Sequence, residues 1–441
     1  MDSNVPVNGP EVAFSLKYGS DHVDFRIPRR NLNLVIQPPA PKPLDDVQAA
    51  LDNCVDSPIG TPPLRELIRP GDRVAVVCSD VTRLSARCDL LVPFVLRKLT
   101  SWGVSESNIT VIIATGTHRG QTPEERKRIV GEEVLKRFAV VDHDSRDDRG
   151  CTFLGTTSRG TPVYVNRIVA EAEKVILTGG IDFHALAGYG GGRKAICPGV
   201  CSYETITTNH SYSLGKLEGE LLSNKCGRGK LDGNPVAEDM DEVAAMVSPT
   251  FILNTIVDQD ARVVELVGGD WRLAFREGCE RLRRLYAVPV PSKSDVVVVG
   301  CGGYPKDISV YQSTKALSAA VEVANEGGSV VLVSESRDGL GDRLFEEWLS
   351  YPSVSEIAKA LANGFQLPGH HALRLLDMTT RHPTYVVSAI SEEIARKMNA
   401  IKVTSVDEAI QRVRAKKGND LSVSVMPFGK MIMPVVTGNT R

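Results

Sequence analysis

Short apolar runs recur along the chain, and each is followed by polar residues and then by a segment with helical spacing. The runs lie at residues 73–78, 109–114, 139–142, 174–177, 296–299, 329–333 and 385–388. Runs of this length without polar alternation are typical of strands that are buried on both faces. The repeated order of strand and helix predicts an α/β fold in which two α/β domains contain mostly parallel sheets.

Chain length and a proline-containing stretch predict where the domains divide. The chain has 441 residues, which is too many for one hydrophobic core. Residues 289–294 read PVPSKS and interrupt the order of strands and helices. We predict an N-terminal domain over residues 1–288, rejoined by residues 421–441, a hinge at 289–294, and a C-terminal domain over 295–420.

Composition and charge narrow the class of protein. The formal net charge is −2 and the isoelectric point is near 6.5, so electrostatics gives no reason to expect nucleic acid or an anionic membrane as a partner. No apolar run is long enough to span a bilayer, and the N-terminus lacks a secretory signal pattern. The nine cysteines are scattered and odd in number, which argues against a disulfide framework. We therefore expect a cytoplasmic protein.

The segment 178–210 has the most unusual composition in the chain. It carries His184, Lys194 and His210, with glycines at positions 188, 190, 191 and 192. Because glycine lets the main chain approach a ligand closely, we predict that Gly190 and Gly191 contact a cofactor. A P-loop needs Ser or Thr after its lysine, and a dinucleotide fingerprint needs glycine at position 193, where this chain has arginine. The segment indicates a cofactor loop of another kind.

Polar residues follow three of the predicted strands of the first domain. Asp80, Thr82 and Arg83 follow the run at 73–78, His118 follows the next run, and His184 comes after the run that ends at 177. The carboxyl ends of strands in an open α/β sheet are where ligands bind. The first group is explained either as a helix cap with an exposed arginine or as a cradle for an anion.

The histidines near these strand ends leave two roles open. His118, His184 and His210 suit a set of metal ligands, and they equally suit acid–base catalysis near neutral pH. Their spacing in sequence does not separate these roles. Three other histidines lack such a context and are interpreted as structural or exposed: His143, His370 and His371.

Two further groups have weaker signals. Tyr311, Gln312 and Lys315 fall on one face of a predicted helix in the C-terminal domain, where solvent-exposed surface explains them about as well as substrate binding. Cys197 and Cys201 form a single cysteine pair, which is a weak indication of zinc. We interpret them as small buried residues.

Taken together, these motifs resemble one family, the nickel-dependent lactate racemase superfamily. The five motifs are Asp80-x-Thr82-Arg83, Gly116-Thr117-His118, His184 followed by Lys194, the segment from Pro198-Gly199 to Asn209-His210, and Tyr311-Gln312-x-x-Lys315. They occur in the family's order and draw on both predicted domains. The chain departs from the family at Leu84, where proline is common, and this affects the expected rigidity of the loop rather than its chemistry.

The resemblance implies a cofactor and a role for each motif. Members of the family bind nickel in pyridinium-3,5-bisthiocarboxylic acid mononucleotide, the nickel-pincer nucleotide, which cofactor-biosynthesis enzymes supply. The resemblance implies that the N-terminal domain binds this group, that Lys194 is its covalent attachment point, that His210 is a nickel ligand, and that His118 and His184 are two catalytic bases. The remaining residues would contact the cofactor or the substrate: Asp80, Thr82 and Arg83 from the first domain, and Tyr311, Gln312 and Lys315 from the second.

The reaction that the resemblance implies is racemisation or epimerisation of a small 2-hydroxy acid by proton-coupled hydride transfer. Removing the Cα proton directly would create a carbanion beside a carboxylate, whereas hydride transfer gives a planar keto acid that can be reduced on either face. Two bases on opposite sides suit a reaction that runs in both directions. A keto acid that must not escape favours a cleft between the domains, so we expect the hinge at 289–294 to open and close.

Three alternatives remain open at this point. The chain could be a pyridine-nucleotide dehydrogenase or a zinc hydrolase that uses the same histidines, or a non-catalytic relative that binds a carboxylate or a nucleotide. The missing dinucleotide fingerprint and the missing compact zinc signature argue against the first two. The presence of His118 and His184 beside Lys194 argues against the third, because binding alone needs no pair of bases.

Overall fold

A computed structural model describes residues 10–38, 40–215 and 220–438, which divide into two units. The central unit comprises residues 40–215 and 223–285. The terminal unit comprises residues 10–38, 220–222 and 286–438. The two units are described separately below.

The described residues form strands, α-helices and short 3-10 turns. The strands are β1 (Glu11–Tyr18), β2 (Asp21–Pro28), β3 (Leu32–Val35), β4 (Val74–Ser79), β5 (Ile109–Ala114), β6 (Ala139–Asp142), β7 (Cys151–Thr156), β8 (Pro162–Asn166), β9 (Lys174–Gly180), β10 (Phe183–His184), β11 (Gly188–Tyr189), β12 (Phe251–Val257), β13 (Val263–Gly269), β14 (Ala287–Val290), β15 (Ser294–Gly300), β16 (Ala324–Val333), β17 (Thr384–Val387), β18 (Ala400–Val403), β19 (Val423–Met426) and β20 (Met433–Val436). The α-helices are α1 (Val47–Asp56), α2 (Leu64–Leu67), α3 (Cys88–Ser101), α4 (Pro123–Val130), α5 (Glu132–Arg137), α6 (Arg167–Ala170), α7 (Tyr203–Ser211), α8 (Pro235–Val247), α9 (Leu273–Tyr286), α10 (Val310–Val323), α11 (Arg343–Leu349), α12 (Val354–Asn363), α13 (Gly369–Arg381), α14 (Glu392–Lys397) and α15 (Val406–Lys417). Within the described ranges, no helix is long and apolar enough to cross a membrane.

The central unit contains a six-stranded sheet in the order β13-β12-β9-β4-β5-β6. All neighbouring strands are parallel except β12 and β13. Strand β4 reads VAVVCS and buries its first five residues, as expected for a strand covered on both faces. Strands β5 and β6 are added on one side of β4, and β9 and β12 on the other, so the order reverses between β4 and β9. Ligands of open α/β sheets bind at the carboxyl ends of strands where the order reverses.

The terminal unit contains a six-stranded parallel sheet in the order β18-β17-β16-β15-β19-β3. The β1–β2 hairpin packs its apolar side chains into the core of this unit. Helix α10 follows β15 and begins at Val310, where the Ser309 hydroxyl accepts a hydrogen bond from the Gln312 main chain. This sheet also reverses its order, between β15 and β19, at the end where α10 begins.

The predicted α/β class with mostly parallel sheets is confirmed, because each predicted apolar run forms a strand of one of the two large sheets. The sequence predicts that residues 421–441 rejoin the N-terminal domain. Strand β19 instead pairs with β15 and β3 in the terminal unit, and residues 439–441 lie outside the described residues. Residues 287–290 form β14, which pairs with β20. The domain boundaries, the hinge and the cleft between domains stay predictions.

Candidate active site

The loops at the carboxyl ends of β4, β5 and β9 lie together in the central unit. Two 3-10 turns pack against β4, β9 and β12: Val81–Ala86, here called the arginine turn, and Gly192–Ala195, here called the lysine turn. The loop after β5 is joined to the segment after the lysine turn, because the main-chain N–H of Gly116 donates to the carbonyl of Gly199 at 3.0 Å. The polar residues predicted from three strand ends therefore share one end of the central sheet.

Asp80 and His118 form a hydrogen-bonded pair in this region. Nδ1 of His118 lies 2.5 Å from Oδ2 of Asp80, and the Thr82 hydroxyl donates to Oδ1 of Asp80 at 2.6 Å. Burial acts to raise the pKa of Asp80, but the hydrogen bond from His118 and the charge of Arg83, 3.7 Å away, outweigh burial and lower it. Asp80 is therefore a carboxylate that accepts from Nδ1–H of His118, which makes Nε2 the basic nitrogen of the neutral ring.

The side chain of Asp80 does not cap the turn that follows it, although it stands at the capping position. Its oxygens bind His118 and Thr82 instead. The reading of Asp80 as a simple helix cap is therefore wrong. Arg83 is 37% exposed and donates to the Thr82 hydroxyl at 3.3 Å, so this cation stands at the edge of the group.

His184 has the opposite arrangement of ring nitrogens. It ends β10, which pairs with β11 in a tight hairpin. Nδ1 of His184 accepts main-chain N–H bonds from Leu186 at 3.2 Å and from Ala187 at 3.1 Å. The proton of the neutral ring is therefore on Nε2, and in this conformation His184 presents an N–H donor.

Lys194 and His210 are buried and lie within electrostatic range of each other. Burial, followed by the positive charge of Arg83, lowers the pKa of Lys194 to about 7. Burial, followed by the charge of Lys194, lowers the pKa of His210 to about 3. Near neutral pH a large share of the Lys194 amine is uncharged, and the His210 imidazole is neutral. An uncharged amine is nucleophilic and a neutral imidazole binds metals, so both groups are in their reactive forms.

The glycines around the lysine turn have a packing role that sequence did not reveal. A Cβ on Gly191 would lie 2.8 Å from the carbonyl oxygen of Gly180, and a Cβ on Gly192 would lie 2.5 Å from the Phe275 ring. Both glycines also have positive φ angles, of 78° and 49°. A Cβ on Gly190 would overlap the carboxylate of Asp182. The glycines thus let this loop pack closely against the protein, and cofactor contacts by Gly190 and Gly191 stay a prediction.

The terminal unit holds the other predicted group at the start of α10. The side chains of Tyr311, Gln312 and Lys315 are half-buried, and Lys315 Nζ donates to Gln312 Oε1 at 3.1 Å. The centroid of the Tyr311 ring lies 5.3 Å from that of Phe345, in an edge-on contact, and 4.7 Å from that of His371, in a tilted contact. His371, interpreted in sequence as structural or exposed, is thus half-buried against a predicted substrate residue.

Protein side chains alone do not form a metal centre in the part of the chain that the structure describes. No group of three or more His, Cys, Asp or Glu side chains there could hold a metal ion. Cys197 and Cys201 are fully buried, in agreement with their interpretation as small core residues. Sequence analysis also missed Asp239 and Asp241 of α8, because a carboxylate on an ordinary amphipathic helix gives no signal by itself.

Comparison with known proteins gives consistent matches over most of the chain. The lactate racemase N-terminal domain matches residues 18–220, and the lactate racemase C-terminal domain matches residues 290–434. The lactate racemase of Lactiplantibacillus plantarum is 30% identical over 393 residues, which cover 87% of this chain and 89% of that protein. The lactate racemase of Thermoanaerobacterium thermosaccharolyticum is 29% identical over 432 residues, which cover 95% and 98%.

Two solved structures are similar to the whole chain. The lactate racemase apoprotein from T. thermosaccharolyticum superposes with a TM-score of 0.87 at 27% identity, covering 96% of this chain and all of that one. A protein from Thermotoga maritima superposes with a TM-score of 0.65 at 17% identity, covering 91% of this chain and all of that one. The second likeness is one of fold alone.

Proposed function

This chain belongs to the lactate racemase family and is an isomerase, and from that premise we propose that it interconverts the two configurations of a 2-hydroxy acid, with lactate as the first substrate to test. The observation that carries the proposal is the arrangement at one end of the central sheet. Two histidines with opposite hydrogen-bonding roles stand there with a buried amine and a buried neutral imidazole. Membership of a racemase family removes the dehydrogenase and zinc hydrolase alternatives.

Nickel in pyridinium-3,5-bisthiocarboxylic acid mononucleotide is the cofactor of this proposal. The donor set fits such a group: Lys194 offers an uncharged amine for a covalent link, and His210 offers one imidazole to the metal. Because the described residues contain no larger cluster of metal-binding side chains, the other ligands would have to belong to the bound group. When bound, this group supplies the site that takes and returns hydride.

His118 is the base that removes the hydroxyl proton of one enantiomer. Asp80 accepts the Nδ1–H bond, fixes the tautomer and stabilises the positive ring that forms when Nε2 takes a proton. Thr82 completes the hydrogen bonding of Asp80 from the other side. Because the Asp80 side chain is fully buried, its charge is weakly screened where the proton moves.

His184 serves the other enantiomer as the second base. In the present conformation its Nδ1 accepts two main-chain N–H bonds, so the ring proton is on Nε2. Acting as a base requires the ring to turn so that Nδ1 leaves the N–H groups of Leu186 and Ala187. At rest, His184 is therefore suited to stabilise negative charge on the substrate oxygen.

The substrate carboxylate is held by cations. Arg83 lies 3.7 Å from Asp80, and its planar guanidinium suits a carboxylate. We keep Lys315 as a second positive charge and Tyr311 and Gln312 as further substrate residues, as the family resemblance implies. Fixing the carboxylate leaves the carbonyl free to present either face.

Intact mass and chiral analysis test the proposal together. The protein is produced with the cofactor-biosynthesis enzymes that we propose as its partners. We propose the cytoplasm as its location, where cysteines stay reduced. We expect the mass of one modified mononucleotide to be added, and Lys194→Ala to abolish that addition. His118→Ala should keep the adduct and lose racemisation. Wild-type racemisation without any adduct would refute the cofactor assignment.

His184→Gln separates the two roles of His184, because the glutamine amide can replace an Nε2–H donor but cannot accept a proton as a base. Loss of racemisation in this variant, with the adduct intact, supports the second base. Near-normal racemisation would show that His184 is a donor only.

A further inference from the structure

We infer that the first half of α8, residues 235–241, is the support that fixes Lys194 and His210 for the cofactor, through the carboxylates of Asp241 and Asp239. This inference rests on the proposed function and names two positioning residues for it. Neither carboxylate belongs to the five motifs that identified the family. Each acts on the residue that directly precedes a functional side chain.

The first contact runs from α8 to Arg193, the neighbour of Lys194 in the lysine turn. Arg193 has no exposed surface, and its Nε lies 2.5 Å from Oδ1 of Asp241. Nε also donates to the carbonyl of Ala237 at 3.4 Å, and the guanidinium packs on the Phe275 ring at 4.5 Å. A carboxylate, a carbonyl and a ring thus restrain the buried guanidinium, and Arg193 is joined directly to Lys194 in the lysine turn.

The second contact runs from α8 to Asn209, the neighbour of His210 in the last turn of α7. Nδ2 of Asn209 donates to Oδ2 of Asp239 at 2.8 Å and to the carbonyl of Val236 at 3.1 Å. Both N–H groups of the amide are therefore used on α8. They fix how α7 rotates about its axis, and this rotation sets the direction of the next side chain, the His210 imidazole.

Asp239 is itself held rigidly. Its carboxylate is fully buried and accepts from the Thr157 hydroxyl at 2.6 Å and from the Thr161 hydroxyl at 2.9 Å, besides Asn209. These threonines flank the turn between β7 and β8. The acceptor for Asn209 is thus anchored to the β7–β8 hairpin as well as to its own helix α8.

The start of α8 also reaches His184. Asn234 caps α8 by accepting from the main chain of Val236 and Ala237, and its Nδ2 donates to the carbonyl of Leu186 at 2.8 Å. Leu186 is one of the two residues whose N–H binds Nδ1 of His184. One helix end therefore ties together the loops of an attachment lysine, a metal ligand and a catalytic histidine. Partners of this kind, one contact removed from a ligand, set its orientation.

Asp241→Asn and Asp239→Asn test the inference with two readouts that differ. The variants are produced with the cofactor-biosynthesis enzymes, and adduct by intact mass and nickel per adduct by elemental analysis are measured. We expect Asp241→Asn to lower the loaded fraction about tenfold, since a small displacement of Lys194 slows attachment. We expect Asp239→Asn to keep the adduct while nickel retention falls about 10- to 100-fold.

Matched variants control for charge and for folding. Glu242→Gln removes one charge from the same helix, where the carboxylate binds the Ser158 hydroxyl at 2.6 Å, and should load and retain nickel as the wild type does. Asp241→Glu keeps the ion pair with Arg193 and should restore loading. If the single variants fail to fold, two other variants replace them. Arg193→Met combined with Asp241→Asn leaves no unpaired charge and should lower loading as Asp241→Asn does. Asn209→Ala leaves Asp239 its threonine donors and should lower nickel retention as Asp239→Asn does.

The outcomes separate the inference from the function on which it rests. Wild-type protein without an adduct refutes the proposed function and the inference with it. If the wild type carries the adduct and both aspartate variants carry it and retain nickel equally well, the inference is refuted and the proposed function is not. If both variants lose the adduct and nickel in parallel, and in proportion to the loss of folded protein, then α8 serves only stability. That result would also overturn the inference.

Discussion

Replacing Asp80 by asparagine tests the central electrostatic interaction of the site. The substitution keeps the size of the side chain but removes the charge that accepts from Nδ1 of His118 at 2.5 Å. The neutral amide can equally donate a hydrogen bond to Nδ1, which would place the imidazole proton on Nε2. Nε2 would then be unable to accept the substrate proton. The Asp80 side chain is fully buried, so solvent does not replace the lost charge.

The size of the effect follows from the contact that is lost. A hydrogen bond to a charged group contributes about 1.5–3 kcal/mol, and about 1.4 kcal/mol corresponds to a factor of ten in rate. The contact with Arg83 adds little, because it is long at 3.7 Å and the guanidinium is 37% exposed. We expect kcat for lactate to fall by about 10- to 150-fold.

The assay is initial-rate racemisation in both directions, followed by chiral chromatography and normalised to the adduct seen by intact mass. Because enantiomers have equal free energies, kcat/KM must fall by the same factor in both directions. Asp142→Asn is the matched control: this carboxylate ends β6 of the same sheet and binds the main chain of Gln121 at 2.6 Å. A fully loaded Asp80→Asn enzyme with kcat within a factor of two of the wild type would refute the assigned role.

Three other changes test separate features. Gly192→Ala should destabilise the protein by about 1–3 kcal/mol in urea unfolding, because the new Cβ would lie 2.5 Å from the Phe275 ring; unchanged stability would contradict the packing role of this glycine. Burial lowers the pKa of His143, so the free energy of unfolding of the wild type should decline as pH falls below the usual histidine pKa of about 6.5. The free energy of unfolding of His143→Gln should decline less over the same pH range. Equal slopes against pH in urea titrations of the two proteins would count against this. His371→Ala should raise KM for lactate about 2- to 10-fold at nearly constant kcat, because the Tyr311 ring loses a packing partner, and His371→Phe should restore KM; a change in kcat alone would be inconsistent with this.

Sequence predicted the strand ends well because the information there is local. Asp80, His118 and His184 each follow an apolar run, and a run that is buried on both faces identifies itself without knowledge of its neighbours. The rule that ligands bind at carboxyl strand ends then brought these residues to one edge. The hydrogen bond between Asp80 and His118 joins residues 38 positions apart, so the pairing itself was not readable.

Features that depend on distant packing were missed for the same reason. The glycine at 192 is required by the Phe275 ring on another helix, whereas sequence analysis assigned the glycines to ligand approach. Strand β19 joins β15 and β3, and only sheet pairing reveals that β3 and β19 are neighbours. The α8 carboxylates follow an ordinary amphipathic pattern, and their role emerges only when Arg193 and Asn209 are seen to meet them.

The burial of Lys194 sets an order of events in the life of the molecule. The lysine turn takes shape only where β4, β9 and β12 lie side by side, and these strands come from distant parts of the chain. On the proposed function, a nascent chain therefore has no attachment point until its sheet is assembled, and in the folded chain Lys194 is only 9% exposed. Under the proposed function, attachment at Lys194 therefore comes after folding, and the supply of active protein is governed by delivery of the group as well as by synthesis of the polypeptide.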